Sequence, residues 1–332
     1  MRHSLFRIAA FAAAAIALVV VCRTATAQER VRIAWAGDSP ANSPIWVVES
    51  KGLLAKQGLI GEVIRINASP TALQALLAGE VDVIVTSVTT LVSSRLAGAD
   101  IIMILGMVPT FVDHVISLKS ITGLEQLKGK PGGVNRLGST SDLGLRLALR
   151  RVGIDPEKDT KIITAGGNGE RFAALSKGVI QFSIMPEPFV AEGEKLGFRD
   201  LLDIGSLKIP FWWNAVLTRE PILKAKRPMF VKFARAMIDA VHFIKTEKEA
   251  TKAIFSKNLR ITDPESLERA YRAYNGIFPE NLLPTPDGVK TMLDDLVHSN
   301  PKAVGADPKA FVDQSLVREV EASGFVKQLY KK

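Results

Sequence analysis

Apolar and polar positions follow a regular rhythm from residue 31 onward. "VRIAWAG" (Val31 to Gly37) alternates and is rich in branched residues, which predicts a strand. "IWVVESKGLLAKQG" carries apolar residues at helical spacing and stops at Gly58, a C-terminal cap. "EVIRIN" predicts a second strand, and Ser69 followed by Pro70 opens a helix that runs to Gly79. "VDVIVTS" and "IIMILGM" are apolar on both faces, with the helical pattern "TTLVSSRLAG" between them. Strand, helix and strand at such short intervals predict a parallel sheet covered on both sides.

A second series repeats the rhythm. The strand "GGVNR" leads into the helix "SDLGLRLALRRVG", the strand within "DPEKDTKIITAGG", the helix "GERFAALSKG" and the strand "VIQFSIM". After the turn "PEPF" and a short helix, "FWWNAVLTRE" reads as a return strand. From Pro221 helical patterns dominate, including one long run from Pro228 to Phe255. "LQALLAGEVDVIVTS" and "FAALSKGVIQFSIMP" echo each other around Gly79 and Gly178, as two similarly wound lobes would.

The first 27 residues stand apart. "MRHSLFR" is positive, Ile8 to Cys22 is an apolar run of 15 residues, and Ala25-Thr26-Ala27 offers a small-x-small site. This is the pattern of a secretory signal peptide cut after Ala27, and the run is short for a membrane span. Cys22 is the only cysteine. Val21 before it is larger than lipoprotein signals prefer, so simple cleavage is favoured over lipidation at Cys22 or a retained anchor. The mature chain then has no disulfide, zinc-cysteine site or thiol nucleophile. Net charge is +9, of which Arg2, Arg7 and Arg23 lie in this leader. No Lys/Arg block forms a nucleic-acid stripe, and no nucleic-acid partner is expected.

In wound α/β sheets ligands lie beyond the carboxyl ends of strands. That rule selects five loops: Asp38 to Ser43, Thr86 to Thr90, Gly138 to Ser141, Gly166 to Gly169, and Pro186 to Pro188. All are rich in small, polar or turn-forming residues. Ser and Thr are also ordinary helix caps, and Ser139 to Asp142 has capping-box spacing, with Asp142 set to repel an anion. The mature histidines His114, His242 and His298 sit in none of these loops and have no metal-ligand spacing, so no metal or cofactor is expected. There is no Gly-x-Ser-x-Gly elbow, and "GGNGE" lacks the lysine of a P-loop. Asp38 and Glu187 remain a conceivable carboxylate pair. Trp212 and Trp213 point to opposite faces of their strand, so at most one meets a ligand.

Four stretches resemble the periplasmic solute-binding proteins of ABC transporters of the nitrate/taurine/alkanesulfonate type, including those similar to thiamine-pyrimidine-precursor binders. They are "SPIWVVESKGLLAKQGL", "SPTALQALLAGEVDV", "LEQLKGKPGGVNRLGSTSDLGLRLALRRVGIDP" and "ALSKGVIQFSIMPEPFVA". The resemblance implies two wound α/β lobes joined by two crossing strands, a periplasmic binding protein type II-like fold. It divides the chain into a signal peptide (1–27), the first lobe (28–115), the second lobe (116–210) and a return to the first lobe with C-terminal helices (211–332). It implies ligand contacts at Ser39, Ser43, Ser87, Thr89, Ser139, Thr140, Asn168 and Glu187, and at Trp212 and Asn214. Two departures bear on the ligand: Gln181 replaces the aspartate that Asp82 supplies in the first lobe, and "MPEPF" puts Met185 and Glu187 where relatives often show an aromatic and an aspartate.

The expectation is a periplasmic, monomeric, non-enzymatic binder that closes on a small organic anion (sulfonate, carboxylate or nitrate-like) and delivers it to an ABC permease. The alternatives are a binder of a neutral heteroaromatic held by Trp and Glu187, an exported two-lobe enzyme using Asp38 or Glu187 as acid or base, and a sensory domain.

Overall fold

The computed structural model describes residues 29–37, 39–66, 69–297 and 300–331. The leader, Cys22, Asp38 and His298 lie outside the described residues. Among the described residues ten strands form two five-stranded sheets. β1 (Glu29–Ala36), β2 (Leu59–Ile66), β3 (Val83–Thr86), β4 (Ile101–Thr110) and β10 (Pro210–Arg219) make the first, in the order β2-β1-β3-β10-β4. β5 (Asp113–Ser117), β6 (Pro131–Val134), β7 (Lys161–Thr164), β8 (Phe182–Pro186) and β9 (Arg199–Asp203) make the second, in the order β7-β6-β8-β5-β9. The two orders correspond strand for strand. The sequence echo therefore has a structural meaning, since Gly79 and Gly178 precede the equivalent strands β3 and β8. Both glycines have positive φ (77° and 70°), which a side chain would resist.

The parallel expectation needs one correction. β1 runs parallel to β2 and β3, and β6 to β7 and β8, but β10 and β5 are antiparallel to their neighbours. Each arrives by crossing from the other lobe rather than through a helical crossover, so nothing obliges it to run parallel. The chain crosses between Thr110 and Asp113 and returns between Asp203 and Pro210. β5 and β9 escape the pattern reading because five residues with an Asp at one end make a weak periodic signal. The long run from Pro228 divides into helices Arg227–Thr246 and Lys248–Leu259 at Glu247.

The first lobe holds the larger core. Helix Arg227–Thr246 lays Phe230, Phe233, Met237 and Val241 against Ile33, Ile45 and Val216 from the sheet and the Ser43–Ser50 helix. At about 25 cal/mol per Å², such burial dominates the stability of the lobe.

The Gln181 departure has a local cause at the far end of the strands from the cleft. Buried Asp82 accepts the Arg32 backbone N–H at 2.8 Å, the Arg32 Nε–H at 3.2 Å and the Lys226 ammonium at 2.8 Å. The Asp82 N–H donates to the Arg32 carbonyl at 2.8 Å, and the Gln181 N–H donates to the Pro131 carbonyl at the same distance. Pro131 thus stands where Arg32 does, and it has no N–H to offer a carboxylate. Burial pushes the Asp82 carboxyl up, but hydrogen bonds from Arg32 and Lys226 outweigh it and the net shift is downward. A depressed carboxylate stabilises the fold above its unfolded value and loses that contribution as pH falls below it. Asp82→Asn is expected to cost about 1–3 kcal/mol at neutral pH, read as a lower melting temperature whose deficit shrinks towards pH 3.

Candidate functional site

The carboxyl ends of β1, β3 and β6 and the loop after β7 face one another across a cleft of about 610 Å³. Three helices present their N-termini to it: Val88–Leu96 from the first lobe, and Thr140–Arg151 and Asn168–Ser176 from the second. Ser69 and Pro70, at the start of the Ser69–Leu77 helix, also line it.

The hydroxyls at these helix starts do not cap their own helices. Ser87 and Ser139 are N-cap residues in extended conformation, yet neither side chain accepts a helical N–H. Ser87 Oγ instead lies 2.6 Å from Thr89 Oγ1 and accepts the Thr140 hydroxyl at 2.7 Å. Thr89 and Thr140 are 3.1 Å apart. Three hydroxyls from two lobes thus form one cluster that bridges the cleft. Ser139 Oγ meets Ser141 Oγ at 3.0 Å, and Ser141 accepts the Asn135 N–H at 2.9 Å.

Nearby acids are already engaged. Asp142 accepts the Gly138 N–H at 2.8 Å and the Arg146 Nε–H at 2.7 Å, so its charge is balanced beside the turn. Gly138 permits that turn with φ of 77°. Glu170 reaches back to the Gly167 N–H at 2.6 Å. No carboxylate lines the cleft among the described residues; its charged lining groups are Arg136 and Arg171.

Of the residues named from the sequence, Ser39, Ser87, Thr89, Ser139, Thr140, Asn168 and Asn214 line the cleft. Ser39 Oγ is 3.0 Å from the Tyr274 hydroxyl and accepts the Ala41 N–H at 3.3 Å. Asn214 donates to the Ala41 carbonyl at 3.1 Å and to Asn42 Oδ1 at 2.8 Å, fixing the loop after β1.

Three named residues stand elsewhere. Ser43 is wholly buried in the first turn of its helix and does not line the cleft. Trp212 faces away and donates its indole N–H to the Thr285 carbonyl at 2.8 Å, leaving Trp213 on the cleft side. Glu187, 4% exposed, accepts the Ala191 N–H at 3.2 Å and the Arg269 Nε–H at 2.9 Å instead of lining the cleft.

The sequence reading missed Arg171. Its signal was the three-residue spacing from Asn168, which puts both on one helix face. Its guanidinium donates to the Gly166 carbonyl at 2.8 Å, Asn168 Oδ1 at 2.6 Å and the Ile184 carbonyl at 3.2 Å. Burial lowers its pKa to about 10, which leaves it charged at neutral pH.

Asp113, at the crossing into the second sheet, is 1% exposed, and burial raises its carboxyl to about 7 against the pull of Arg171 and His114. The unfolded chain therefore releases this proton first. Stability is expected to fall as pH rises from about 4 to about 7 and then level off. Asp113→Asn should flatten that slope, as melting temperatures at pH 5 and pH 8 would reveal.

No group of three or more His, Cys, Asp or Glu among the described residues is placed to hold a metal. His114 pairs with Asp200 at 2.7 Å, and His242 packs edge-on against Tyr330. No helix among the described residues is long and apolar enough to cross a membrane.

The comparisons agree with this architecture. The Bacillus subtilis (strain 168) protein named "Putative binding protein YtlA" is 23% identical over 275 residues, spanning 80% of this chain and 82% of its own. The periplasmic nitrate-binding protein NrtA from Synechocystis PCC 6803 has a TM-score of 0.74 at 15% identity, over 90% of this chain and 89% of its own. The periplasmic aliphatic sulphonate binding protein SsuA from Escherichia coli has a TM-score of 0.70 at 19% identity, over 86% of this chain and 92% of its own. Such likenesses carry the fold, the two-lobe arrangement of periplasmic binding proteins. Residues 24–259 match the NMT1-like family, and the chain, with its two wound lobes around a hydroxyl-bridged cleft, belongs to that family.

Proposed function

We propose that this chain is the exported solute-binding component of an ABC importer, that it closes its lobes on a small organic anion, and that it delivers that anion to a membrane permease. The observation that carries this reading is the charge of the cleft. Among the described residues its charged lining groups are two arginines, three helix N-termini open onto it, and Asp142 and Glu170 beside it are bound to N–H groups. Each helix N-terminus favours an anion by typically ~0.3–1 kcal/mol when exposed and more when buried. The volume, about 610 Å³, is in the range of sites for organic molecules rather than for a bare nitrate. Hinging of the second sheet and its helices, Asp113 to Asp203, against the first lobe about the two crossings supplies open and closed states. Export rests on the leader ending at Ala27, and a single copy contains the whole cleft, consistent with a periplasmic monomer.

Glu187 is bound to Arg269, which weakens both the neutral heteroaromatic reading and the enzymatic one that relied on it. The test is a thermal-shift screen of the mature chain against sulfonates, carboxylates, nitrate, pyrimidines and polyamines, followed by small-angle scattering. An anion is expected to raise the melting temperature and compact the particle, because it binds only the folded form. A response confined to polyamines or neutral pyrimidines, or turnover of the bound anion, overturns the proposal.

A further inference from the structure

The cleft is polarised in a way that the hydroxyl cluster alone does not explain. Among the described residues both of its charged lining residues, Arg136 and Arg171, belong to the second lobe. Its larger apolar lining residues, Pro70, Leu73 and Trp213, belong to the first. A ligand spanning the two walls therefore meets a cationic face on one side and an aromatic and aliphatic face on the other.

Arg171 sharpens the point. It is 3% exposed, yet its hydrogen-bond partners are two carbonyl oxygens and the Asn168 amide oxygen, all neutral. Its buried Nε has no hydrogen-bond partner. Asp113 and Glu170 act on it only through space. A buried charge surrounded by neutral acceptors is costly, and protein interiors normally supply a counter-ion. Fixing a loop needs no such charge, since a neutral amide can donate to carbonyls equally well.

From these observations, and resting on the anion-binding reading above, the geometry points to Arg171 as the residue that sets the charge preference of the cleft: the ligand is an aromatic acid whose carboxylate or sulfonate lies against Arg171 and Asn168, with its ring on Trp213. The anion adds a directly bonded counter-ion to the through-space pull of Asp113 and Glu170. The ring faces Leu73 and Pro70, so the ligand's axis runs from the second lobe to the first. Trp213 is held for this by its edge-on contact with Phe111, ring centroids 5.7 Å apart.

The experiment is calorimetric titration of the mature chain with benzoate, its neutral isostere benzamide, and propionate. Wild type is expected to bind benzoate at least tenfold more tightly than either of the others. Arg171→Gln should weaken benzoate about 100-fold and leave benzamide within about twofold. Arg171→Lys, which keeps the charge, should retain the preference for benzoate, and it also serves if the glutamine variant fails to fold. Trp213→Leu should abolish the advantage of benzoate over propionate. Equal losses of benzoate and benzamide in Arg171→Gln would mean that Arg171 only supports its loop, and would overturn the assignment. Propionate or an alkanesulfonate binding as well as benzoate, with compaction, would overturn the aromatic assignment while leaving the anion-binding reading standing. Benzamide or a pyrimidine binding with no anion bound would overturn both.

Discussion

Trp212→Ala is expected to lower the melting temperature by roughly 10 °C, whereas Trp213→Ala changes it little. Neighbouring residues of the same type have opposite roles because β10 sends them to opposite faces. Trp212 fills a slot whose two walls are glycines. A Cβ on Gly106 would come within 2.3 Å of its ring, and one on Gly288 within 2.7 Å of its backbone nitrogen. Truncation empties that slot and deprives the Thr285 carbonyl of its 2.8 Å donor. Loss of a buried tryptophan costs about 3–5 kcal/mol, and a domain of this size loses about 2–4 °C per kcal/mol. Trp213 is partly exposed on the cleft side, so its removal should show in ligand affinity instead. Gly288→Ala is a second check: its Cβ would also approach the Phe211 backbone, which cannot turn aside, so this variant should be destabilised too. If Trp212→Ala melts like wild type, the slot does not organise the return strand.

Arg269→Ala is expected to weaken ligand binding about tenfold by opening the lobes. Arg269 stands on the first-lobe helix Pro264–Asn275, and its Nε and Nη2 donate to Glu187 of the second lobe at 2.9 and 2.6 Å. It also pairs with Glu194. Beside it, Lys195 meets Asp263 at 2.5 Å, and the Ser266 hydroxyl donates to Glu192 at 2.5 Å. Four polar pairs thus join two short helix faces across the lobes. Glu187 is the buried member, and burial holds its carboxyl above the usual value although Arg269 pulls it down. Removing Arg269 strands that carboxylate only while the lobes touch; opening returns it to water. A wholly buried pair would cost ~3–5 kcal/mol to break, and the partial exposure of Arg269 reduces this to about 1–3 kcal/mol. Every 1.4 kcal/mol is tenfold in affinity. Scattering should show a larger apo particle, and Glu187→Gln in the same chain should restore compaction, since a neutral amide is cheaper to bury. An unchanged particle and affinity would remove this patch from the closing equilibrium.

Most of the fold was legible because burial along a chain has a period. The strands β1, β3, β4 and β10 and the helices between them announced themselves by alternation, helical spacing and glycine stops. Even the doubling of the lobe was visible in the echo around Gly79 and Gly178, because equivalent strands need equivalent turns. What the period cannot encode is direction and convergence. It missed β5 and β9 altogether, and the antiparallel sense of β10, because a crossing strand looks locally like any other. The hydroxyl-rich loops were also legible as a set, because the strand-end rule selects them without reference to their partners.

Tertiary structure decided which of those residues share a space. Thr140 meets Ser87 across 53 positions of sequence, and Glu187 meets Arg269 across 82. No local pattern carries such a pairing. Asp142, which reads as a repulsive charge in isolation, is balanced by Arg146 one turn along its helix. Arg171, which reads as an ordinary helix-face cation, is buried at the cleft wall, where Asp113 and Glu170 act on it only through space. The sequence by itself determined most of the elements, their order and the chemistry available at strand ends, because these follow from local burial and backbone preference. Only the packing of the two lobes decided which charges are neutralised, which tryptophan is core and which faces the cleft, because charge balance and solvent access are properties of three-dimensional neighbours.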